Sequence, residues 1–493
     1  MRHVQGALHQ MGAGAYHSQL CPACANSEPS MIFSSFSFLL LFLPLSWLGF
    51  ALLRGRPKQW PVMFLTGASW IFYALWDWRY LLLLWASMAV NYVIGIQVWV
   101  SRRRAWLIVA LVFNLGVLAY YKYLGFFASI FGMQWAGEWV LPLAISFYTF
   151  QQIAWQVDLY RKRLHKPGTF SDFVLCVSFF PHLIAGPICR PSSILPQIEQ
   201  GFRKRPWAWQ LGFTVLCIGL AKKVLLADSI APAVDALFAK SQVSAPEVLL
   251  AALGYGVQLY FDFSGYADMA IGLGLIFGIK LPVNFRSPYR SLSVIDFWRR
   301  WHISLSRFLR DYLYVPLGGS RQGYLRQMLN LMITMLLGGL WHGAGWNFIL
   351  WGALHGFFLC LNHLWRRFSP WRLPASLALV ITLFAVMLAW VPFRASDLSH
   401  AIGLYKSLMV WNEWRPVLDA QLLMSELFRL QIIEGLWFAA PFLLLCTLVA
   451  PRGLPFALWL SPLWRGLVSS VLLLMVLKAL IAKPDRAFLY FNF

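Results

Sequence analysis

Phe297-Trp-Arg-Arg-Trp-His-Ile-Ser-Leu-Ser306 and, further along, Gly338-Gly-Leu-Trp-His-Gly-Ala-Gly-Trp-Asn347 are the segments whose reading decides the fold. Each carries a histidine directly after a tryptophan, His302 after Trp301 and His342 after Trp341, inside a chain that otherwise reads as membrane. An ionisable side chain in or beside a bilayer costs free energy, so each histidine is a candidate functional group.

Outward from these segments, composition sets the class. The 493 residues are 59% hydrophobic and only 12% charged, with a mean hydropathy of +0.62. Apolar runs long enough to cross a bilayer core of roughly 30 Å recur along the whole chain. They place spans near 32–53, 60–78, 80–100, 105–121, 139–160, 207–230, 246–279 (long, with a break), 326–343, 346–364, 374–393, 429–449 and 463–481. The expected fold is an all-α polytopic membrane protein with about 11–13 membrane helices, plus re-entrant and interfacial helices around a central cavity.

The formal net charge of +22 does not point to nucleic acid. The basic residues fall in short clusters between apolar runs, at Arg54–Lys58, Arg102–Arg104, Arg161–Arg163 with Lys166, Arg203–Arg205, Lys280–Arg290 and Arg366-Arg367. That is the pattern of cytoplasmic loops. Placing the clusters inside puts the N-terminus outside.

The seven cysteines give no disulfide framework. Cys176, Cys217, Cys360 and Cys446 lie in apolar helical text, Cys189 in a proline-rich turn, and Cys21-Pro-Ala-Cys24 lacks a second pair. Residues 1–30 are polar and patternless, and Met31 opens directly into the first apolar run. Met31 is therefore the expected natural start, with 1–30 an upstream extension and 31–493 a single transmembrane domain.

Two segments are not simple spans. Phe173 to Leu195 is apolar between basic flanks and interrupted by Pro181, Pro187 and Pro191. This reads as a re-entrant hairpin, which is tolerated at membrane depth only when buried in protein or lining a wet cavity. Residues 293–315 place Val294, Phe297, Trp298, Trp301, Leu305, Phe308, Leu309 and Tyr312 on one helical face and Arg299, Arg300, Arg307 and Arg310 on the other. That pattern predicts one basic amphipathic helix lying at the cytoplasmic interface, with His302 turned inward.

Glycines at 338, 339, 343 and 345 flank His342, permitting close backbone approach or a helix break, as a substrate channel requires. His182, in the re-entrant hairpin, is a candidate cavity residue, whereas His355 and His363, eight residues apart, read as structural. No ligand spacing for zinc is present, and no metal is expected. Asp262 and Asp268 sit in the long run 246–279 and need partners, for which the interfacial arginines or a histidine are the candidates. Gly272-x-Gly274 is not a dinucleotide fingerprint, and no G-x-S-x-G nucleophile elbow occurs.

Taken in order, Met31-Ile-Phe-Ser-Ser, Ile145-Ser-Phe-Tyr-Thr-Phe150 with Val157-Asp-Leu-Tyr-Arg161, Phe180-Pro-His-Leu-Ile-Ala-Gly-Pro187, Tyr260 to Gly274, Phe297 to Gly319, Leu337 to Gly356 and Phe488-Leu-Tyr-Phe-Asn-Phe493 form a long text. This text resembles the membrane-bound O-acyltransferase (MBOAT) family, in its bacterial alginate O-acetylation branch. The resemblance implies that His342 is the catalytic histidine and that His302 occupies a second, usually essential polar position. It also implies a ring of membrane helices around a thin central layer, with funnels from both faces. Trp301, Trp341, Asn347, Asp262, Asp268 and His182 are the expected supporting residues.

The function expected on this basis is O-acetylation of an exopolysaccharide of the alginate or cellulose type, in the bacterial inner membrane. The donor would be a cytoplasmic thioester, acetyl-coenzyme A or an acyl carrier, with no tightly bound cofactor. Arg299, Arg300 and Arg307 could attract its phosphates. The acetyl group would pass to the polymer or to a periplasmic acetyltransferase that works with polysaccharide-secretion proteins. Alternation of the spans carries His342 toward the far face and leaves His302 near the cytoplasm, so the two histidines are expected at opposite ends of an acyl path. A transporter or flippase for polysaccharide or acyl carrier, suggested by the intramembrane aspartates, and a non-catalytic scaffold are the alternatives.

Overall fold

The computed structural model describes residues 31–133, 141–203, 207–240, 243–410, 431–449, 452–482 and 486–489. Residues 1–30, with Cys21 and Cys24, lie outside them, as do Lys204, Arg205 and the last four residues of the terminal motif. Every regular element among the described residues is helical, in line with the all-α expectation.

Among the described residues five helices are long and apolar enough to cross a bilayer: Gln59–Ser101, Arg104–Ile130, Trp346–Phe368, Ala375–Arg394 and Pro462–Ala482. A sixth is counted if the bent pair Ala439–Leu448 and Gly453–Trp459 is one span. Leu463, Leu467, Val471, Leu474 and Ile481 stand exposed along Pro462–Ala482. Water would not tolerate such a stripe, whereas lipid matches it.

The longest of these helices contains two of the expected spans. Forty-three residues at 1.5 Å each would run roughly 65 Å, twice the thickness of a bilayer core. Asp77 interrupts it with extended dihedrals (φ −160°, ψ 109°), and its Oδ1 accepts the Arg79 N–H at 2.9 Å. A carboxylate at a helix start takes up an orphan N–H, so a new helix begins there.

The remaining expected spans are shorter or more polar; Ser37–Leu53 is apolar and exposes Leu40, Leu45 and Leu52, whereas others are covered by neighbours. Ile145–Tyr160 has only 16 residues, and all but its last are buried, including Gln151, Gln152, Gln156 and Asp158. Trp209–Leu220 gives way to a π-helical turn, Ala221–Ala227, that carries Lys222 and Lys223.

The run 246–279 does not break. Ala245–Ile276 is one continuous helix, started by a capping box between Ser244 and Glu247 and buried over most of its length. Close packing replaces the expected break. A Cβ at Gly219 would lie 2.6 Å from the Gly265 carbonyl oxygen, and one at Gly212 2.6 Å from that of Gly272, so two helices meet backbone to backbone.

The proline-rich stretch forms three short helices, Phe170–Ser178, Phe180–Leu183 and Pro191–Glu199. Residues 172 to 189 are buried throughout. The segment is thus held inside protein, as its non-helical backbone requires.

The 293–315 segment departs most from expectation. It is two helices, Val294–Arg300 and Ile303–Leu309, followed by a π-helical turn, Arg310–Tyr314. Trp301 is extended and His302 left-handed (φ 41°, ψ 55°). The segment folds into the interior and does not lie along one face. Its broken backbone bonds are replaced by the strand-like partner 284–286: Ile303 N–H donates to Asn284 O and Arg286 N–H to Arg300 O, both at 2.9 Å.

Candidate active site

The break at Trp301-His302 buries the His302 imidazole completely. Its Nδ1 lies 3.2 Å from Asn284 Oδ1. That same oxygen also accepts the Ser304 backbone N–H at 3.1 Å and the Ser304 hydroxyl at 2.9 Å. An atom that takes a backbone N–H can only be the amide oxygen, so His302 Nδ1 must be the donor. The tautomer is thereby fixed, with the lone pair of the neutral ring left on Nε2. Phe263 packs edge-on against the ring, centroids 4.7 Å apart.

His342 is the last residue of helix Tyr324–His342, and Gly343 continues in extended geometry. This helix pairs tightly with Trp346–Phe368. A Cβ at Gly339 would collide with the Phe348 carbonyl oxygen and one at Gly352 with that of Met335, so only glycine permits this approach. The imidazole sits in an aromatic box, edge-to-face with Trp341 at 4.7 Å, Trp351 at 5.0 Å and Phe393 at 5.1 Å.

Both histidines pack on one indole. The His302 ring lies 6.3 Å from that of Trp341, which is also the neighbour of His342. The expectation of two separated ends is therefore corrected. With the 293–315 helix broken at His302, the second half reaches Trp341 through Phe150, Phe308 stacking on Phe150 at 4.2 Å and Phe150 on Trp341 at 5.3 Å. The histidines define one site.

The other expected residues are distributed around it. Trp301 is buried in the aromatic core against Trp390 (5.0 Å) and Phe285 (5.1 Å). Asn347 donates to the Ala395 carbonyl at 3.0 Å, tying the start of one helix to the end of Ala375–Arg394. His182 is fully buried with its Nδ1 3.2 Å from Gln151 Nε2.

Asp262 and Asp268 pair neither with the interfacial arginines nor with a histidine, contrary to expectation. Asp262 meets Lys223 at 2.9 Å, Lys223 also holds Asp228 at 2.6 Å, and Asp268 meets Lys222 at 2.6 Å. The Gly219–Gly265 contact brings the lysine-bearing turn onto this helix, so the aspartates are structural ion pairs.

Arg299 and Arg307 are exposed, and Arg300 pairs with Asp296 at 3.0 Å. Nearby, Arg190 and Arg310 hold Asp311 at 2.5 and 2.6 Å. Burial is the largest influence on the Asp311 carboxyl and would raise it. The hydrogen bonds from Arg310 and Arg190, with their charges, outweigh that and keep it below the usual carboxylate range.

Sequence reasoning missed several members of the site. Asn284 gave no signal in its basic loop, and Trp351 and Phe393 read as ordinary apolar text. Lys122 did carry a signal, as a charge inside a membrane helix. His355, read as structural, accepts the Trp298 indole N–H on Nδ1 at 3.3 Å and lies 4.8 Å from Trp351, one ring away from His342.

The membrane-bound O-acyltransferase family model matches residues 105–391, a stretch holding both histidines and the helices that carry them. The chain belongs to this family and is a multi-pass membrane O-acyltransferase. It is 38% identical to a peptidoglycan O-acetyltransferase of Helicobacter pylori, across 94% of this chain and 98% of the relative. It is 42% identical to a probable alginate O-acetylase of Azotobacter vinelandii, across 78% of this chain and 79% of that protein. A teichoic acid D-alanyltransferase of Bacillus subtilis is 28% identical over 52% of this chain and 70% of its own length.

Proposed function

We propose that this enzyme O-acetylates hydroxyl groups of a bacterial cell-surface polysaccharide from the inner membrane, using a cytoplasmic acetyl thioester as donor. The relatives named above acylate peptidoglycan, alginate or teichoic acid, and their common chemistry is an acyl group placed on an envelope polymer. In this reading the acceptor hydroxyl oxygen attacks the thioester carbonyl carbon while His342 takes its proton. The C–S bond then breaks and the thiolate leaves, receiving the proton back. A histidine base contributes about 10²- to 10⁴-fold to such a step. The observation that carries the assignment is the meeting of His302 and His342 on Trp341, an indole that borders both rings.

His302, with its lone pair held on Nε2, serves as a second proton acceptor or orients the donor. Acetyl-coenzyme A and an acyl carrier protein both present phosphates that Arg299, Arg300 and Arg307 suit. A periplasmic acetyltransferase and polysaccharide-secretion proteins are the partners this reading calls for.

The test is His342→Ala in cells carrying this chain as their only copy, with base-labile acetyl esters counted separately on sacculi and on secreted polymer. Acetyl esters should fall to background on one of the two while polymer yield is unchanged. Undiminished esters would sink the assignment, and loss of the polymer itself would favour a transporter. The fraction that loses its esters identifies the acceptor.

A further inference from the structure

Apart from Arg104 at its start, Lys122 is the only charged residue in the apolar helix Arg104–Ile130. A lysine near a helix end ordinarily snorkels to the headgroups. This one does not. It lies in a π-helical turn, Ala119–Tyr123, where the extra residue per turn swings Lys122 and Tyr123 toward a neighbouring helix. Lys122 Nζ donates to the Trp341 carbonyl at 2.6 Å and the His342 carbonyl at 3.2 Å, and the Tyr123 hydroxyl donates to the Leu340 carbonyl at 3.0 Å.

Those three carbonyls have no helical partners. The helix stops at His342, so the N–H groups four residues on, at 344 to 346, lie beyond its end. A cation there also complements the negative pole of the helix. Lys122 and Tyr123 thus supply, from another helix, every cap that the His342-bearing turn requires. The ammonium also sits 6.0 Å from the Trp341 ring, the indole that both histidines share.

We propose that Lys122, assisted by Tyr123, is a positioning residue for the catalytic turn: it holds residues 340–342 so that the His342 imidazole stays in its aromatic box. This rests on the reading of His342 as the base. Lys122 touches the backbone of the catalytic turn and no reacting atom, so its loss should slow turnover without unfolding the chain.

The experiment compares Lys122→Met, Lys122→Arg, Tyr123→Phe and His342→Ala in full-length enzyme, in cells that carry no other copy. Base-labile acetyl esters on the envelope and secreted polymer are normalised to folded protein in the membrane. Lys122→Met uncaps two carbonyls and so lowers the melting temperature somewhat, but activity per folded enzyme should still fall at least tenfold. Lys122→Arg, which keeps the cation and its donors, should recover half or more of the activity, and Tyr123→Phe should fall about threefold. Full activity of Lys122→Met, a loss tracking only abundance or melting temperature, or failure of Lys122→Arg to recover activity would overturn the proposal. If Lys122→Met does not accumulate, Tyr123→Phe decides: parental activity overturns the clasp, and a loss at parental stability supports it. An active His342→Ala would instead remove the underlying reading, whatever the Lys122 variants do.

Discussion

Replacing Asn284 with leucine, which keeps the branched shape in a somewhat larger side chain, removes one oxygen and, with it, three hydrogen bonds. The donors left behind are His302 Nδ1–H, the Ser304 backbone N–H and the Ser304 hydroxyl. The hydroxyl can rotate to another acceptor, but the two N–H groups are fixed in a fully buried site. A buried donor without an acceptor costs about 1–3 kcal/mol, so the two cost about 2–6 kcal/mol unless the loop shifts. The backbone bond from Ile303 to Asn284 O survives, so the break at His302 should persist.

The effect on activity is separable from that cost. Without Asn284 the His302 ring can turn and exchange tautomers, and its Nε2 lone pair is no longer aimed. As the proposed second proton acceptor, His302 acts within the about 10²- to 10⁴-fold that acid–base catalysis contributes, so losing only its orientation should cost about 10- to 100-fold. Ser304→Ala is the matched control, because it also destabilises, leaving the Ile188 N–H without the acceptor it has at 2.9 Å, yet keeps the His302–Asn284 bond. Activity per folded enzyme and melting temperature in detergent are measured for both. Ser304→Ala should stay within about threefold of the parent, since the retained hydrogen bond still orients the ring. If the two variants lose activity in the same proportion to stability, Asn284 serves the fold and not His302.

Two further outcomes concern charge. Lys223→Met leaves the buried Asp262 and the half-buried Asp228 without their shared cation and should destabilise by about 3–5 kcal/mol; adding Asp262→Asn should return part of this, and a fully additive double variant refutes the coupling. Asp311, whose carboxyl is held below its usual range, contributes stability that is present above the unfolded value of about 4 and lost as pH falls through the lower folded value. The melting-temperature gap between parent and Asp311→Asn should therefore be full at pH 6 and close toward pH 3, and a gap that widens on acidification contradicts the sign.

Helical class was legible in the chain because it depends on local text, its apolar runs, and the two histidines stood out as candidates by their flanking tryptophans and clustered glycines. What was not legible depended on single backbone angles. The 293–315 stretch has an unbroken amphipathic period, and each half obeys it, yet a left-handed residue at His302 redirects the second half. Periodicity carries no information about such a break, and a non-glycine there is rare. At 246–279 the expected break does not occur and Gly265 and Gly272 are contact points for another backbone, whereas at His342 glycine does follow a helix end. Glycine composition alone does not separate these two uses. The partners of Asp262 and Asp268 were illegible for the same reason, since Lys222 and Lys223 reach them only through that contact.

Placing both histidines on Trp341 constrains how acetyl could cross the membrane. A relay with one histidine serving each face needs two sites separated along the bilayer normal, and a shared indole does not provide that separation. If donor and acceptor approach from opposite faces, both must reach the same indole, and the carbonyl carbon and hydroxyl oxygen must close to about 3–3.5 Å there. The residues that line that point are rigid by construction: Gly339 admits only a backbone neighbour, Lys122 and Tyr123 fix the last carbonyls, and Asn284 fixes the His302 ring. Movement that admits substrates then falls to the elements outside this locked core, which under the proposed function holds a single proton-transfer site and not a pair of half-sites.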